Sequence, residues 1–144
     1  MTRQSIAAAV LVTLTLWLQC AGMAVLIHWV KTWIGRGARV ATPWHSAILM
    51  IRFTVLIIIL HLSQIVLWSG LYRWRCLPSW EASFYFSASA FSTVGYGEVV
   101  LPEAWRTLGP IESVVGVLMC GMSVSGLFAI LTRLLAAEDE LLKG

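Results

Sequence analysis

Charged side chains are scarce in this chain, since Asp, Glu, Lys and Arg make up only 12% of its 144 residues. Hydrophobic residues account for 59%, and the mean hydropathy is +0.83. A soluble domain of this composition would have to expose large apolar surfaces to water, which folded soluble proteins rarely do. The scarcity of charge therefore excludes an ordinary soluble domain and predicts an integral membrane protein.

Cysteine is equally sparse, and clusters of residues that carry out catalysis are missing. The cysteines have no metal-ligand spacing; we interpret Cys20 and Cys120 as packing residues in apolar runs and Cys76 as a loop residue. No nucleophile–base pair, metal cluster or phosphate-binding loop is visible. The net charge of +3 comes from basic residues scattered singly, a pattern typical of membrane topology signals. We therefore expect no enzyme, no cofactor and no nucleic-acid partner.

Three long apolar runs dominate the chain. Each is long enough to cross a hydrocarbon layer of roughly 30 Å, so the sequence predicts an all-α membrane protein with three transmembrane helices. We place these helices at about residues 5–30, 46–70 and 106–136. Tryptophans near the ends of the runs are typical of membrane interfaces. A linker at 31–45 and a short tail at 137–144 complete the chain.

A shorter apolar segment, Trp80 to Phe91, lies between the second and third runs. A helix of a dozen residues covers only about 18 Å, so we predict a re-entrant or buried helix that begins near Pro78, Ser79 and Glu81. STVGYGE follows at 92–98. Glycine adopts backbone angles closed to other residues, which lets successive carbonyls point the same way. Irregular backbone at membrane depth is tolerated only where protein or a water-filled cavity surrounds it.

This order of segments resembles the pore module of potassium channels over residues 46–136. The resemblance rests on Thr93-Val94-Gly95-Tyr96-Gly97, the aromatic pair Tyr85-Phe86, and the run Arg106…Glu112…Gly116. In that family, four TVGYG loops form rings of carbonyl oxygens that replace the hydration shell of K⁺. The resemblance implies an outer helix at 46–70, a pore helix at 80–91, a filter strand at 92–97 and an inner helix at 106–136. Residues 1–45 would add an N-terminal helix and a linker to this module.

The resemblance also implies a function and an assembly. We expect a potassium-selective channel that conducts K⁺ passively through a homotetramer, with the filter on the fourfold axis. A weakly selective cation channel and a non-conducting accessory subunit are the alternatives, and the intact filter favours the potassium channel. No apolar run carries Arg or Lys at every third position, so no voltage-sensor helix is predicted. The short tail predicts no ligand-binding domain after the inner helix.

Roles for individual residues follow from the same resemblance. The ion-binding filter comprises Thr93, Val94, Gly95, Tyr96 and Gly97, with K⁺ held by the carbonyls of the first four and by the Thr93 hydroxyl. Filter support is expected from Tyr85, Phe86, Ser89, Ser92 and Glu98, with Tyr85 and Phe86 packing around Tyr96. The sequence departs from the family at two of these positions: Glu98 replaces a common Asp, and Ser89 replaces a pore-helix Glu found in some channels. A carboxylate pair behind the filter is therefore in doubt.

Candidates for gating are Gly116, Gly121, Glu112, His61 and His28. Each glycine is either a hinge of the inner helix or a point of close helix packing, and Gly126 competes with them. Each histidine either senses pH or makes a structural hydrogen bond. Glu112 is expected to brace the inner helix through a hydrogen bond.

The family's outward-facing filter implies an N-terminus outside the cell and a cytoplasmic C-terminus, in a membrane that we expect to be the bacterial inner (plasma) membrane. Counting basic residues gives weak independent support, because six would lie inside and four outside. Those inside are Lys31, Arg36, Arg39, Arg52, Arg133 and Lys143, and those outside are Arg3, Arg73, Arg75 and Arg106. Acids at the outer mouth would gather cations, namely Glu81, Glu98 and Glu103. Membrane lipids are expected partners. The N-terminal helix either packs on the outer helix as a lipid-facing brace or recruits a regulatory subunit, and the sequence does not choose between these roles.

Overall fold

The computed structural model describes residues 2–35 and 43–143, and within them the side chains of residues 4–32, 44, 46–133 and 136. The described residues form four α-helices and one short 3-10 turn, without a β-strand. The helices are α1 (Thr2–Gly35), α2 (Pro43–Arg75), α3 (Trp80–Phe91) and α4 (Leu108–Lys143), and the turn is Glu103–Trp105. Linker residues 36–42 lie outside the described residues.

Three of the helices are long and apolar enough to cross a membrane. Their candidate spans are Gln4–Thr32, Ser46–Arg75 and Glu103–Arg133. Large apolar side chains on these helices face outwards, as with Trp17, which is 70% exposed, and Val25, which is 68% exposed. Such surfaces suit lipid rather than water. The architecture therefore fits the all-α membrane protein with three transmembrane helices that the sequence predicts.

The long helices do not end where the apolar runs end, so the predicted bounds of 5–30, 46–70 and 106–136 need correction. Helices α1 and α2 begin earlier and end later, and α4 begins at Leu108 and continues to Lys143. Hydropathy marks the part of a helix that suits lipid, whereas polar residues with good helix propensity prolong the backbone helix beyond it. Residues 137–143, predicted as a separate tail, therefore continue α4.

The short helix α3 occupies the same residues that the sequence predicts. Its N-cap is Ser79, whose extended backbone (φ −130°, ψ 155°) lets the side chain accept a hydrogen bond from the Ala82 N–H. Glu81 places a negative charge in the first turn, where the helix dipole favours it. With 12 residues, α3 is about 18 Å long and cannot span the bilayer.

The buried clusters show how the helices are arranged. At one end of the bundle, Met23 and Val30 of α1 pack with Phe53 of α2 and Ile130 of α4. At the other end, Leu11 of α1 belongs to a cluster with Trp68 and Tyr72 of α2 and with Leu108 of α4. Helix α1 therefore runs antiparallel to α2 and parallel to α4. Its N-terminal end lies on the same side as α3 and the loop before α4.

Candidate functional site

Residues 92–98, called the glycine segment below, leave the C-terminal end of α3 directly. Ser89 in the last turn of α3 holds the segment at two points. Its carbonyl oxygen accepts a hydrogen bond from the Gly95 N–H at 3.2 Å, and its hydroxyl oxygen accepts one from the Tyr96 N–H at 3.3 Å. The start of the segment is thus tied back to the helix that precedes it.

Residues 92–97, predicted as a filter strand, contain no β-strand in the structure. Instead, φ is positive at every second residue: 63° at Thr93, 58° at Gly95 and 83° at Gly97. A β-ladder needs carbonyls that alternate in direction, whereas alternation in the sign of φ turns successive carbonyls towards one side. Glycine adopts these angles without strain, while Thr93 carries a strain of about 1–3 kcal/mol.

Tyr85 of α3 contacts the glycine segment through its ring and its hydroxyl. The ring stacks on Tyr96 with centroids 6.4 Å apart and planes 18° apart. The hydroxyl donates a hydrogen bond to the Glu98 carboxylate at 2.5 Å. This bond is the first cause of a raised pKa for Tyr85, so the phenol stays protonated as a donor. Two points of the glycine segment are therefore fixed by one side chain.

Phe86, the other member of the aromatic pair, packs against α2 and α4 within the chain. Its ring meets Tyr72 of α2 edge-on with centroids 5.0 Å apart. It also lies below Gly109 of α4, where an added Cβ would stand 3.1 Å from the Phe86 ring. Phe86 thus joins α3 to α2 and α4, while Tyr85 is the member that lies beside Tyr96.

Glu112 of α4 is fully buried and connects three helices. Its carboxylate accepts hydrogen bonds from the Tyr72 hydroxyl of α2 at 2.7 Å and from the Ser87 hydroxyl of α3 at 2.5 Å. The Ser87 hydroxyl also lies 2.9 Å from the Ile65 carbonyl oxygen. The bracing hydrogen bond expected for Glu112 is therefore present, but Tyr72 and Ser87 were not identified from the sequence. The only sign in the sequence that Glu112 has hydrogen-bond partners is the presence of an acidic residue within an apolar run.

The glycines of α4 differ in what surrounds them. Gly116 is buried against the end of α3, and an added Cβ would stand 2.0 Å from the Phe91 carbonyl oxygen. At Gly126 an added Cβ would meet the terminal methyl of Met23 on α1 at 2.2 Å. An added Cβ at Gly121 would meet no atom within 4 Å among the described residues, apart from its chain neighbours and the backbone of its own helix. Gly116 and Gly126 are therefore points of close helix approach, and Gly121 is the glycine without a packing constraint within this chain.

A second buried polar cluster joins α1, α2 and α4. The Gln19 amide donates to the Ser123 hydroxyl at 2.9 Å and to the Met119 carbonyl oxygen at 3.2 Å. The Gln64 amide donates to the Gln19 side-chain oxygen at 2.8 Å. His61 Nε2 shares a hydrogen bond with the Ser123 hydroxyl at 3.1 Å. Sequence reasoning singled out His61 but missed Gln19 and Ser123, although each is a polar residue within an apolar run.

Other predicted residues lie apart from these clusters. His28 is exposed on α1, beyond the turn that contributes Gln19 to the buried polar cluster. The Ser92 hydroxyl donates to the Ala88 carbonyl oxygen at 2.6 Å and so caps α3. Glu81 is exposed in the first turn of α3, and Glu103 is exposed in the short turn before α4. Of the three acids predicted at the outer mouth, Glu98 is the one whose carboxylate accepts a hydrogen bond from a predicted support residue, Tyr85.

The thiol of Cys76 is half-buried, just beyond the end of α2. Burial raises its pKa to about 11, against a smaller opposing effect of Arg75. The described residues contain no group of three His, Cys, Asp or Glu side chains that could hold a metal ion.

Three apolar helices that are long enough to cross a membrane, together with a short helix that leads into irregular backbone, fit an integral membrane protein. The family model described as "Ion channel" matches residues 47–133, which is more than half of the chain. The chain therefore belongs to this ion channel family, and membership points to ion passage rather than catalysis. Neither the curated proteins nor the solved structures gave a significant match.

Proposed function

We propose that the protein is a potassium-selective channel, in which four copies place their glycine segments around a common axis and conduct K⁺ passively. Helix α3 is then the pore helix, residues 92–97 are the filter, and α2 and α4 are the outer and inner helices. Membership of the ion channel family and the TVGYG sequence support this proposal.

One observation carries the proposal. The sign of φ alternates through Thr93, Gly95 and Gly97, and backbone of this kind can direct successive carbonyls towards one side of the segment. A column of carbonyl oxygens can replace the water around a K⁺ ion, provided that other copies complete each ring of oxygens. Strained backbone is often found at functional sites, and in this proposal the carbonyl and hydroxyl of the strained Thr93 supply the innermost ion site.

The exposure of the segment supports an assembly. In the single chain, Val94 is 52% exposed and Tyr96 is 68% exposed. Backbone without regular hydrogen bonds is not tolerated against lipid, so further protein and a water-filled path must surround it. Each chain carries one such segment, and a closed symmetric ring of copies both covers it and completes the ion sites.

The remaining features of the proposal concern orientation and gating. We place the filter and the N-terminus on the outer side of an inner (plasma) membrane, where Glu98 and Glu103 lie near the mouth and attract cations. Helix α1 of this proposed channel lies outside the matched region and is not a voltage sensor, because its described span carries no series of basic residues.

Reconstitution of the full chain into liposomes under a potassium gradient tests the proposal. We expect a barium-blockable K⁺ flux that far exceeds the Na⁺ flux. Gly95→Ala should abolish this flux, since φ is +58° there and a side chain is strained in that conformation. Gly70→Ala is the matched control, because nothing lies within 4 Å of that helical glycine. Equal Na⁺ and K⁺ fluxes would support the weakly selective channel, and absent flux the accessory subunit.

A further inference from the structure

A groove between the C-terminal parts of the spans of α1 and α4 combines an apolar base with two cations. Its volume is about 430 Å³. Val30 and Ile130, which are 3% and 4% exposed, form the base. Lys31 and Arg133 are both exposed and line the rim. No acidic side chain lines the groove among the described residues, so its lining supplies two positive charges and no counter-ion.

The position of the groove along the helices determines what can reach it. Lys31 directly follows the apolar run of α1, and Arg133 lies near the end of the apolar run of α4. Since the two helices are parallel, both cations lie near the same end of the bundle and therefore near the same membrane boundary. The apolar base lies on the hydrocarbon side of the cations, since Val30 directly precedes Lys31 and Ile130 lies three residues before Arg133. A ligand that fills the groove must therefore place a negative charge at the boundary and an apolar chain below it.

Small residues on α4 create the space. Gly126 lets α4 approach Met23 of α1 closely, since an added Cβ there would stand 2.2 Å from the Met23 terminal methyl. Ala129, about one turn further along, lines the groove and leaves it open towards the boundary. The close approach at Gly126 thus closes the deep end of the groove, and the rim stays accessible from the lipid.

We propose that this groove binds an anionic phospholipid, with its phosphate between Lys31 and Arg133 and one acyl chain against Val30 and Ile130. Basic pockets between transmembrane helices recognise anionic headgroups, because the cations gain a partner without leaving the interface. The lipid joins α1 to α4 at the end of the bundle opposite the glycine segment. This binding does not depend on which ion the protein conducts.

Native mass spectrometry of the full-length protein tests the proposal, with dioleoyl-phosphatidylglycerol and dioleoyl-phosphatidylcholine as probes. We expect preferential retention of phosphatidylglycerol. Lys31→Gln and Arg133→Gln should each weaken it about fivefold, and Lys31→Arg should preserve it. Arg52→Gln is the matched control, because Arg52 is an exposed basic residue of α2 near the same end of the bundle but outside the groove. Helicity and oligomer mass identify any variant that has not folded.

Two further arms separate the lipid from other ligands. Ala129→Trp keeps both cations but fills the groove, and we expect it to reduce phosphatidylglycerol retention. Inorganic phosphate should not displace the bound lipid at millimolar concentration. Equal retention of the two lipids, unchanged retention in the Lys31→Gln/Arg133→Gln double variant, or ready displacement by phosphate would each overturn the proposal. None of these outcomes bears on potassium conduction, which the flux assay measures separately.

Discussion

Gly116 lies where α4 crosses the end of α3, and its replacement by alanine should force the two helices apart. The added Cβ would stand 2.0 Å from the Phe91 carbonyl oxygen, whereas ordinary van der Waals contact begins near 3.4 Å. The obstacle is backbone rather than a flexible side chain, so α4 must move by about 1.4 Å at this point. Overpacking of this kind costs about 1–3 kcal/mol, and the better helix propensity of alanine offsets at most about 1 kcal/mol.

Gly121→Ala is the matched comparison, because nothing lies within 4 Å of Gly121. We expect thermal unfolding of purified protein to show that Gly116→Ala is destabilised and that Gly121→Ala is as stable as the wild type or slightly more so. The Gly116 variant should also lose ion flux, since Phe91 immediately precedes the glycine segment. Equal stability of the two variants would refute the packing role of Gly116. Impaired flux with unchanged stability would instead assign it the hinge role.

Three further changes test the hydrogen bonds around the proposed pore. Tyr85→Phe retains the ring but loses the bond to Glu98, so we expect folded protein whose K⁺ current declines faster during sustained recording; an unchanged time course would contradict a supporting role for that bond. Glu112→Gln leaves one acceptor oxygen for two hydroxyl donors. It should therefore lower the free energy of unfolding by about 1–3 kcal/mol in a denaturation assay. Tyr72→Phe should lower it by part of this amount. Gln19→Leu should cost about 1 kcal/mol by the same assay, since it removes bonds between α1 and α4; wild-type stability would show that these bonds contribute nothing.

Features that depend on local sequence could be predicted well. The bounds of α3 follow from a capping serine, an acid in the first turn and a length that excludes a full span. The unusual backbone of the glycine segment follows from two glycines spaced two residues apart, although the positive φ of Thr93 has no signal of its own. The ends of the long helices were predicted less well, because hydropathy reports where lipid begins and not where backbone hydrogen bonding stops.

Contacts between helices could not be predicted, because they depend on rotation and depth. An acid in an apolar run indicated that Glu112 has partners, yet Tyr72 lies 40 positions away and Ser87 lies 25 positions away. The sequence likewise left the hinge and packing roles of Gly116 equally open. That choice depends on whether the backbone of another helix passes within reach of the missing Cβ, which only the packed structure reveals.

Helix α1 lies outside the region that the family model matches, yet its contacts make it part of the packed unit. The Gln19 amide is fully buried and bonds to α2 and α4, so separating α1 from α4 would leave polar groups unpaired in apolar surroundings, at about 1–3 kcal/mol for each group. Close packing of Gly22 with Leu60 and of Gly126 with Met23 also holds α1 against α2 and α4. Lipid between these helices would remove both contacts. Any movement of α4 that opens or closes a pore must therefore carry α1 with it or break this polar layer. The sequence left open whether the N-terminal helix packs on the outer helix as a lipid-facing brace or recruits a regulatory subunit. The contacts show α1 packed against both α2 and α4, and recruitment of a subunit stays a prediction.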